Sequence, residues 1–290
     1  MHPRNIYLNP PDFPKLAGSY PALKLLLQNS SYVDFHNEDV QRCVTTALLD
    51  RDFNLKIKLS NKRLCPPVPN RLNYVLWIQD IVRACQAVTG EGDATGIDIG
   101  TGASAIYPLL ACRLEPRWKF VVTELDDLSE EYARGNVKSN NLNDRIQILK
   151  ASQTGPLLLP LFEGTQIFDF TMCNPPFYSS AEDVAQSSEA KEFAPNSVKT
   201  FFWVSPQLSS LFVRQVCTGA AIEMITEGGE SAFVRRMMED SIKVGTRCKW
   251  YTSMLGKLSS VAEVVEELRA NSARDAKFYS QKFSLTCPLD

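Results

Sequence analysis

Four consecutive residues, Asn174-Pro175-Pro176-Phe177, combine the groups needed to hold a flat amino nitrogen. The Asn174 side-chain oxygen and a neighbouring prolyl carbonyl, that of Pro175, can each accept one hydrogen of an NH₂ group, and neither proline offers a competing backbone N–H. The Phe177 ring can lie against the face of the ring that carries the amine. The segment therefore indicates methylation of a planar amine. A strand that ends in a Pro-Pro turn is the alternative for the tetrapeptide alone.

Residues 96–104, Gly-Ile-Asp-Ile-Gly-Thr-Gly-Ala-Ser, stand where a predicted strand runs into a predicted helix. Ligands of parallel α/β sheets bind at this end of the strands. Gly100 and Gly102 can adopt positive φ and let a ligand approach the backbone closely. The turn lacks the third glycine of the dinucleotide-binding pattern, and Asp98 would repel a pyrophosphate. We therefore expect a ligand that carries a positively charged amine.

Glu124 closes the next predicted strand, where an acid can accept both hydroxyls of a ribose. Taken alone, Glu124 is as readily explained as a surface acid. A glycine turn and a ribose acid without a phosphate cradle fit S-adenosylmethionine better than NAD. Because the turn, the acid and the Asn-Pro-Pro-Phe segment follow successive predicted strands, the pattern favours a methyltransferase.

The apolar periodicity predicts a parallel sheet with helices on both faces. Strands are predicted at residues 95–99, 119–123, 145–150, 167–173, 247–254 and 277–285, and helices at 103–112, 128–140, 230–242 and 259–271. Upstream, the pattern predicts helices at 20–28, 40–48 and 71–88, and a half-buried strand at 53–59, where apolar and polar residues alternate. Residues 178–228 show no clear periodicity, so we expect a functional or mobile loop there.

The composition excludes several classes of protein. No apolar run of the 290 residues is long enough to span a bilayer, so we expect no membrane partner. The eight cysteines are scattered without a C-x-x-C pair, which argues against a zinc site or a disulfide framework and favours a reducing compartment. With only two histidines, a His-dependent hydrolase or a multi-His metal site is a poor fit, and we predict no metal.

Basic residues are concentrated in two segments although the net charge is −2. Residues 51–71 contain six basic side chains against one acid, and residues 235–257 contain six against two. Such clusters can bind phosphates if the fold brings them together, or they can be solvated faces of separate segments.

These residues and their flanks resemble the methyltransferase-like sixteen family of RNA adenine N6-methyltransferases and its bacterial ribosomal-RNA relatives. The resemblance covers most of residues 1–268. It is carried by Pro10-Pro11-Asp12-Phe13, Arg71-Leu72-Asn73-Tyr74, residues 96–110, Thr123-Glu124, residues 174–177, residues 223–230 and residues 250–257. It implies a Rossmann-like class I methyltransferase fold, with a mostly parallel seven-stranded sheet and a small helical N-terminal extension. We assign residues 1–60 to an RNA-gripping extension and residues 61–290 to the methyltransferase domain.

The family resemblance also implies an S-adenosylmethionine site and an RNA substrate. Cofactor contacts carry over to Arg71, Gly100, Ser104, Glu124, Thr154 and Asn174. Eukaryotic members methylate U6 small nuclear RNA and structured hairpins, which predicts a nuclear protein, with the cytoplasm as the alternative. A monomer is favoured.

Two stretches depart from the family pattern. Residues 198–216 look like an insertion where residue 197 should lead almost directly to residue 217, and the tail after residue 271 lacks the family's closing strand. Two other functions therefore remain open. One is methylation of a glutamine side chain in a protein, which uses the same Asn-Pro-Pro-aromatic segment, and the other is RNA binding by a catalytically impaired homologue.

Overall fold

Five parallel strands form the sheet of the part of the chain that the computed structural model describes, which is residues 1–27, 33–90, 92–184 and 219–270. The strands are β1 (Ala94–Ile99), β2 (Trp118–Glu124), β3 (Ile146–Lys150), β4 (Phe168–Cys173) and β5 (Cys248–Trp250). Their spatial order is β3-β2-β1-β4-β5, and every pair is parallel. The predicted α/β class with a parallel sheet is therefore confirmed.

Helices alternate with these strands along the chain. They are α1 (Phe13–Ser19), α2 (Pro21–Leu27), α3 (Glu38–Phe53), α4 (Val68–Thr89), α5 (Ile106–Leu114), α6 (Asp127–Ser139), α7 (Leu159–Phe162), α8 (Ala221–Met224), α9 (Gly229–Val244) and α10 (Leu258–Ala270). Short 3₁₀ helices cover Ile6–Leu8 and Gly245–Arg247. Capping side chains fix where three of these helices begin. The side chains of Asp12, Asn37 and Asp126 accept backbone N–H groups in the first turns of α1, α3 and α6.

Two apolar clusters cover the two faces of the sheet. One joins Phe120, Val122 and Phe170 to side chains from α1 to α6. The other joins Ile97 and Val121 to side chains of α7 and α9. Helices therefore cover both faces, as predicted. The first cluster continues without a break into residues 7–55, so the helical N-terminal extension shares the core of the sheet, and the domain boundary at residue 60 stays a prediction.

The expectation of seven strands is wrong for the described residues, which contain five. The predicted strand at residues 53–59 is one error. Helix α3 runs to Phe53 and ends at Asn54 in a left-handed conformation (φ 50°). The next residues do alternate between buried and exposed, but no strand pairs with them. The predicted strand at residues 277–285, the insertion at 198–216 and the altered tail lie outside the described residues.

Asparagine side chains take the place of that missing strand partner. The backbone N–H of Lys56 donates to Asn140 Oδ1 at 2.9 Å, and the backbone N–H of Lys58 donates to Asn136 Oδ1 at 2.8 Å. The side-chain amides return the bonds, to Lys58 O at 3.1 Å and to Lys56 O at 2.7 Å. An extended segment is thus held on α6 by an i,i+4 pair of amides.

Gly96 offers a stability test of the central strand. A Cβ at Gly96 would lie 2.4 Å from Phe170 Cε2 and 2.9 Å from Phe120 Cε1, so Gly96→Ala overpacks the aromatic core. We expect its free energy of unfolding to fall by about 1–3 kcal/mol in urea denaturation.

The matched control is Gly135→Ala on the exposed face of α6, where nothing lies within 4 Å of an added Cβ. We expect that variant to be unchanged or more stable by up to about 1 kcal/mol, because alanine is the better helix former. Equal stability of the two variants would contradict the packing described here.

Candidate active site

The register of the sheet brings three predicted site residues side by side. Ile99 of β1 pairs with Thr123 of β2 on one side and with Cys173 of β4 on the other. The residues that follow these pairs are Gly100, Glu124 and Asn174. The glycine turn, the ribose acid and the Asn-Pro-Pro-Phe segment therefore start at the same edge of the sheet, on adjacent strands.

Polar atoms without partners mark this edge. Both carboxylate oxygens of Asp98, the Thr101 hydroxyl and Asn174 Oδ1 are buried, and none makes a hydrogen bond of normal distance and angle with a described residue, although the Thr101 hydroxyl is near enough to Asp98 to lower the pKa of that carboxyl group. A buried polar atom left unpaired costs about 1–3 kcal/mol, so such atoms need a reason. Their position at the carboxyl ends of β1 and β4 points to a ligand that would bond them.

Asp98 has the most strongly perturbed carboxyl group of the site. Burial raises its pKa to about 7, the Glu124 carboxylate adds to the rise, and Thr101 and Arg71 oppose it. The charged form is therefore disfavoured until a cation approaches. This environment suits the positively charged amine that the sequence predicts.

The glycine turn leaves open space beside its backbone. Gly100 and Gly102 have φ of 66° and 68°, and nothing lies within 4 Å of a Cβ added at either residue. Glu124 holds this turn: its Oε2 accepts the Gly102 N–H at 2.8 Å, and its Oε1 accepts the N–H groups of Leu125 and Asp126, each at 2.9 Å. Glu124 is buried and has a raised pKa because of that burial.

Arg71 approaches from the first turn of α4. Its guanidinium is buried, donates to the Tyr107 hydroxyl at 2.6 Å and lies 5.4 Å from the centre of that ring. No carboxylate among the described residues pairs with it. A buried guanidinium without an anion is suited to the carboxylate of a ligand.

The two remaining predicted cofactor residues are placed differently. Ser104 is buried directly after the glycine turn, whereas Thr154 is exposed in the loop that follows β3. That loop stands at the same edge of the sheet, since the Ala151 N–H donates to Glu124 O at 2.8 Å. No hydrogen bond among the described residues joins Thr154 to the other site residues.

A hydrogen-bond network anchors the end of β4 below Asn174. The Cys173 N–H donates to the Tyr74 hydroxyl at 3.3 Å, and Cys173 O accepts the Met254 N–H at 2.8 Å. The Tyr74 hydroxyl also bonds Thr252 Oγ1 at 2.6 Å. Asn174 is thus fixed from α4 and from the loop after β5. Pro175 is buried, while Pro176 and Phe177 are half-buried.

The Phe177 ring packs on the backbone of Gly256. A Cβ at that residue would lie 2.9 Å from Phe177 Cδ1, so only glycine fits without moving the ring. The loop is held by Glu230 of α9, which is only 1% exposed. Its two carboxylate oxygens accept the N–H groups of Gly256 at 2.7 Å and Lys257 at 2.8 Å.

Sequence reasoning missed the supporting residues Glu230, Tyr74 and Thr252. Glu230 stands directly after Gly228 and Gly229, and this Gly-Gly-Glu stretch could have signalled a buried acid at a helix start. The described ends of the 178–228 stretch also meet: Tyr178 pairs with Ile225 in a parallel bridge. Residues 185–218 lie outside the described residues.

A cavity of about 400 Å³ lies in the N-terminal extension. It is lined by residues such as Tyr7, Lys15 and Arg51, and none of the predicted site residues lines it.

In the described ranges, no cluster of three or more histidine, cysteine or acidic side chains could hold a metal ion. No helix in these ranges is long and apolar enough to cross a membrane.

The arrangement fits S-adenosylmethionine. The Asp98 carboxyl suits its ammonium group, and the Arg71 guanidinium, which has no carboxylate partner among the described residues, suits its carboxylate. Glu124 Oε2 has a lone pair left for a ribose hydroxyl. The space beside Gly100 and Gly102 is the room that a close ligand needs. Sheet order, glycine turn and Asn-Pro-Pro-Phe segment together define an S-adenosylmethionine-dependent methyltransferase.

The chain belongs to the Methyltransf_10 family, described as RNA methyltransferase, which matches residues 1–282. It is 40% identical over 281 residues to "RNA N(6)-adenosine-methyltransferase mettl16" of Xenopus laevis, covering 93% of this chain and 47% of the relative. It is 40% identical over 247 residues to "U6 small nuclear RNA (adenine-(43)-N(6))-methyltransferase" of Schizosaccharomyces pombe, covering 85% of this chain and 58% of the relative. The chain thus spans about half the length of these curated relatives.

Solved structures agree with this membership. The hMettl16 catalytic domain in complex with MAT2A 3'UTR hairpin 1 superposes with a TM-score of 0.77 at 39% identity, covering 93% of this chain and 87% of that one. The N-terminal domain of human METTL16 in complex with SAH gives a TM-score of 0.71 at 36% identity, covering 94% and 90%. The predicted family, fold and cofactor are confirmed.

Asp98 predicts a pH dependence of ligand binding. Its carboxyl ionises through a pKa of about 7, and only the ionised form attracts a positive amine. From pH 6 to 7.5 we expect the affinity for S-adenosylhomocysteine, measured by calorimetry, to rise about eightfold. Asp98→Asn should bind more weakly and show no such rise.

The stability of the free protein should change in the opposite direction. Because the folded pKa lies above the ordinary value of about 4, the free energy of unfolding falls as pH rises from about 4 to about 7. The fall should be smaller in Asp98→Asn. Parallel pH profiles of the wild type and the variant would contradict the role of this carboxyl group.

Glu230 predicts a separation of turnover from cofactor binding. In Glu230→Gln, one side-chain oxygen remains for two backbone N–H groups, so the loop that supports Phe177 loosens. We expect methyl transfer to fall at least about tenfold, since misplaced groups lose rate steeply, while S-adenosylhomocysteine binding changes less than about twofold.

The control is Glu239→Gln, an exposed acid of the same helix, which should leave both quantities unchanged. Wild-type turnover by Glu230→Gln would show that the loop does not position Phe177.

Proposed function

We propose that this chain transfers a methyl group from S-adenosylmethionine to N6 of an adenosine in structured RNA, with U6 small nuclear RNA as the preferred substrate. The observation that carries the proposal is Asn174 Oδ1, a buried acceptor without a partner that stands one strand away from the glycine turn. A free acceptor at this position suits an amino group brought beside the methyl donor.

The residues of the chain would act mainly by positioning. Asn174 Oδ1 and the Pro175 carbonyl accept the two N6 hydrogens and fix the plane of the amine, while the Phe177 ring packs on the base. The adenosine must leave its stack to reach this pocket. The bound donor supplies a methyl group on a positively charged sulfonium. Alignment of the amine lone pair is the main source of acceleration, and no side-chain base is required, since the proton can leave to water.

The basic segment before α4 supports an RNA substrate. Lys56, Lys58 and Lys62 are exposed, and none forms an ion pair with a described residue. The other basic segment is largely neutralised, because Arg235, Lys243, Lys249 and Lys257 pair with Glu267, Asp240, Asp169 and Asp183. We therefore place the phosphate contacts at the N-terminal extension, residues 1–60, and at the residues that follow it to Lys62.

The relatives support the choice of RNA. One of the solved structures contains a MAT2A 3'UTR hairpin, and the Schizosaccharomyces pombe relative is named for adenine 43 of U6 small nuclear RNA. A U6 substrate would place the protein in the nucleus. We also propose a monomer, because the exposed apolar side chains, such as Val88, Ile167, Ile242 and Leu258, are scattered over separate elements. Fluorescence imaging and sedimentation would test these two points.

The test is incubation of the chain with labelled S-adenosylmethionine and a U6 transcript, followed by nucleoside analysis. We expect labelled N6-methyladenosine, less product from a single-stranded RNA of equal composition, and none from a glutamine-containing peptide. Label in the peptide alone would favour glutamine methylation. S-adenosylmethionine and RNA binding without label in either substrate would identify an impaired RNA-binding homologue, and both results would overturn the proposal.

Asn174 gives the sharpest variant. Asn174→Ala removes the acceptor for N6, so we expect methyl transfer to fall at least about a hundredfold while S-adenosylmethionine still binds measurably by calorimetry.

Asn174→Asp keeps an acceptor oxygen and is the matched control, for which we expect partial activity. Normal turnover by Asn174→Ala would refute the role of this side chain.

A further inference from the structure

Asn136 of α6 bonds two parts of the molecule that the proposed function assigns to different tasks. Its side-chain amide exchanges two hydrogen bonds with Lys58, as described above, and its Nδ2 also donates to Ala103 O at 3.0 Å. Lys58 lies in the extended basic segment before α4, which also contains Lys56 and Lys62. Ala103 lies in the glycine turn. We propose that Asn136 is a positioning residue that couples the RNA-binding segment to the donor-binding turn.

All three hydrogen bonds of the Asn136 side chain go to these two parts of the molecule. One oxygen and two amide hydrogens are engaged, and the side chain is only 1% exposed. Asn140, one helical turn later, holds Lys56 in the same way, but its remaining hydrogen goes to Asn136 O within the helix at 2.8 Å. The two residues are therefore equivalent toward the segment and different toward the turn, which makes Asn140 a natural control.

The turn has reason to depend on such support. Gly100 and Gly102 adopt positive φ, and Ala105 does so at 49° without being a glycine. A side chain in this region is strained and persists only where its surroundings hold it. The Ala103 carbonyl lies inside this strained stretch. The hydrogen bond from Asn136 to that carbonyl fixes the backbone between Gly102 and Ser104, two residues that are assigned to S-adenosylmethionine binding.

The segment at the other end carries lysines that form no ion pair with a described residue. Lys56 and Lys58 are exposed. Lys58 Nζ lies 5.5 Å from the centre of the Tyr132 ring, which stands on α6 one turn before Asn136. Binding of S-adenosylmethionine that orders the glycine turn would therefore also order the basic segment, through the side-chain amide of Asn136. By linkage, a ligand that orders the basic segment must tighten the binding of S-adenosylmethionine by the same factor.

This inference rests on the proposed function, since it needs donor binding at the glycine turn. Hydrogen exchange of residues 54–60 in the full chain, with and without S-adenosylhomocysteine, tests it in the wild type. We expect the ligand to slow exchange of the Lys58 amide about tenfold, because coupling energies of this kind are typically of that order. Unchanged exchange at saturating ligand would overturn the inference.

Two variants locate the coupling. Asn136→Ala should weaken S-adenosylhomocysteine binding about tenfold, because the buried Ala103 carbonyl of the glycine turn loses its hydrogen-bond donor. The variant should also lose the slowing of hydrogen exchange that the ligand causes at the Lys58 amide. Asn140→Ala loses the same number of bonds to the segment, so it should be destabilised to a similar extent in urea. It should bind the ligand as the wild type does.

The outcomes separate the inference from the proposed function. The inference alone is overturned if both variants bind S-adenosylhomocysteine as the wild type does, or if both bind it equally more weakly. The two amides would then have only a structural role. A wild-type chain that binds no S-adenosylhomocysteine overturns the proposed function and the inference with it. If Asn136→Ala does not fold, the exchange measurement on the wild type still decides between coupling and its absence.

Discussion

The fold buries the carboxyl group of Asp98 at the end of its central strand and gives it no hydrogen-bond partner. Burial raises the pKa of this group to about 7, so it can stay protonated until a cation approaches, and the rest of the candidate site is arranged around it. Strands β2 and β4 flank β1 and bring Glu124 and Asn174 to the same edge. Helix α4 adds a guanidinium without an anion. The two charged groups among them, the Asp98 carboxyl and the Arg71 guanidinium, are opposite in charge to the two ends of the amino acid moiety of S-adenosylmethionine.

A second set of buried polar groups is hydrogen-bonded to the backbone and supports loops. Glu124, Glu230 and Asn136 accept backbone N–H groups from loops: the glycine turn, the loop under Phe177 and the extended basic segment. Each loop is irregular and would otherwise bury backbone donors without acceptors. Atoms of Asp98 and Asn174 are left unpaired at the candidate ligand positions, whereas Glu230 and Asn136 fix loops, and Glu124 combines the two roles.

Sequence patterns predicted where the candidate site residues lie better than they predicted which residues support them. Asp98, Gly100, Glu124 and Asn174 could be predicted to share one edge of the sheet because each lies at, or directly after, the carboxyl end of a strand with strong apolar periodicity. The segment at residues 53–59 shows why other predictions were wrong. Its alternation of buried and exposed residues is real, but its backbone partners are the amides of Asn136 and Asn140, 78 and 84 residues away in sequence. Periodicity reports which side is buried and cannot report what bonds the backbone. The role of Glu230 was missed for the same reason, since its partners are backbone N–H groups of a distant loop.

The aromatic rings beside Gly96 have a consequence for the evolution of the sheet. Because β1 lacks a side chain there, Phe170 meets Trp118 at 5.1 Å and Phe120 at 5.6 Å between ring centres, across the strand that separates them. The volume of the missing side chain is thus occupied by residues from both neighbouring strands. Family members that carry a larger residue at position 96 should carry smaller ones at position 120 or 170. Compensating changes in volume at these three positions would then keep the spacing of the strands constant.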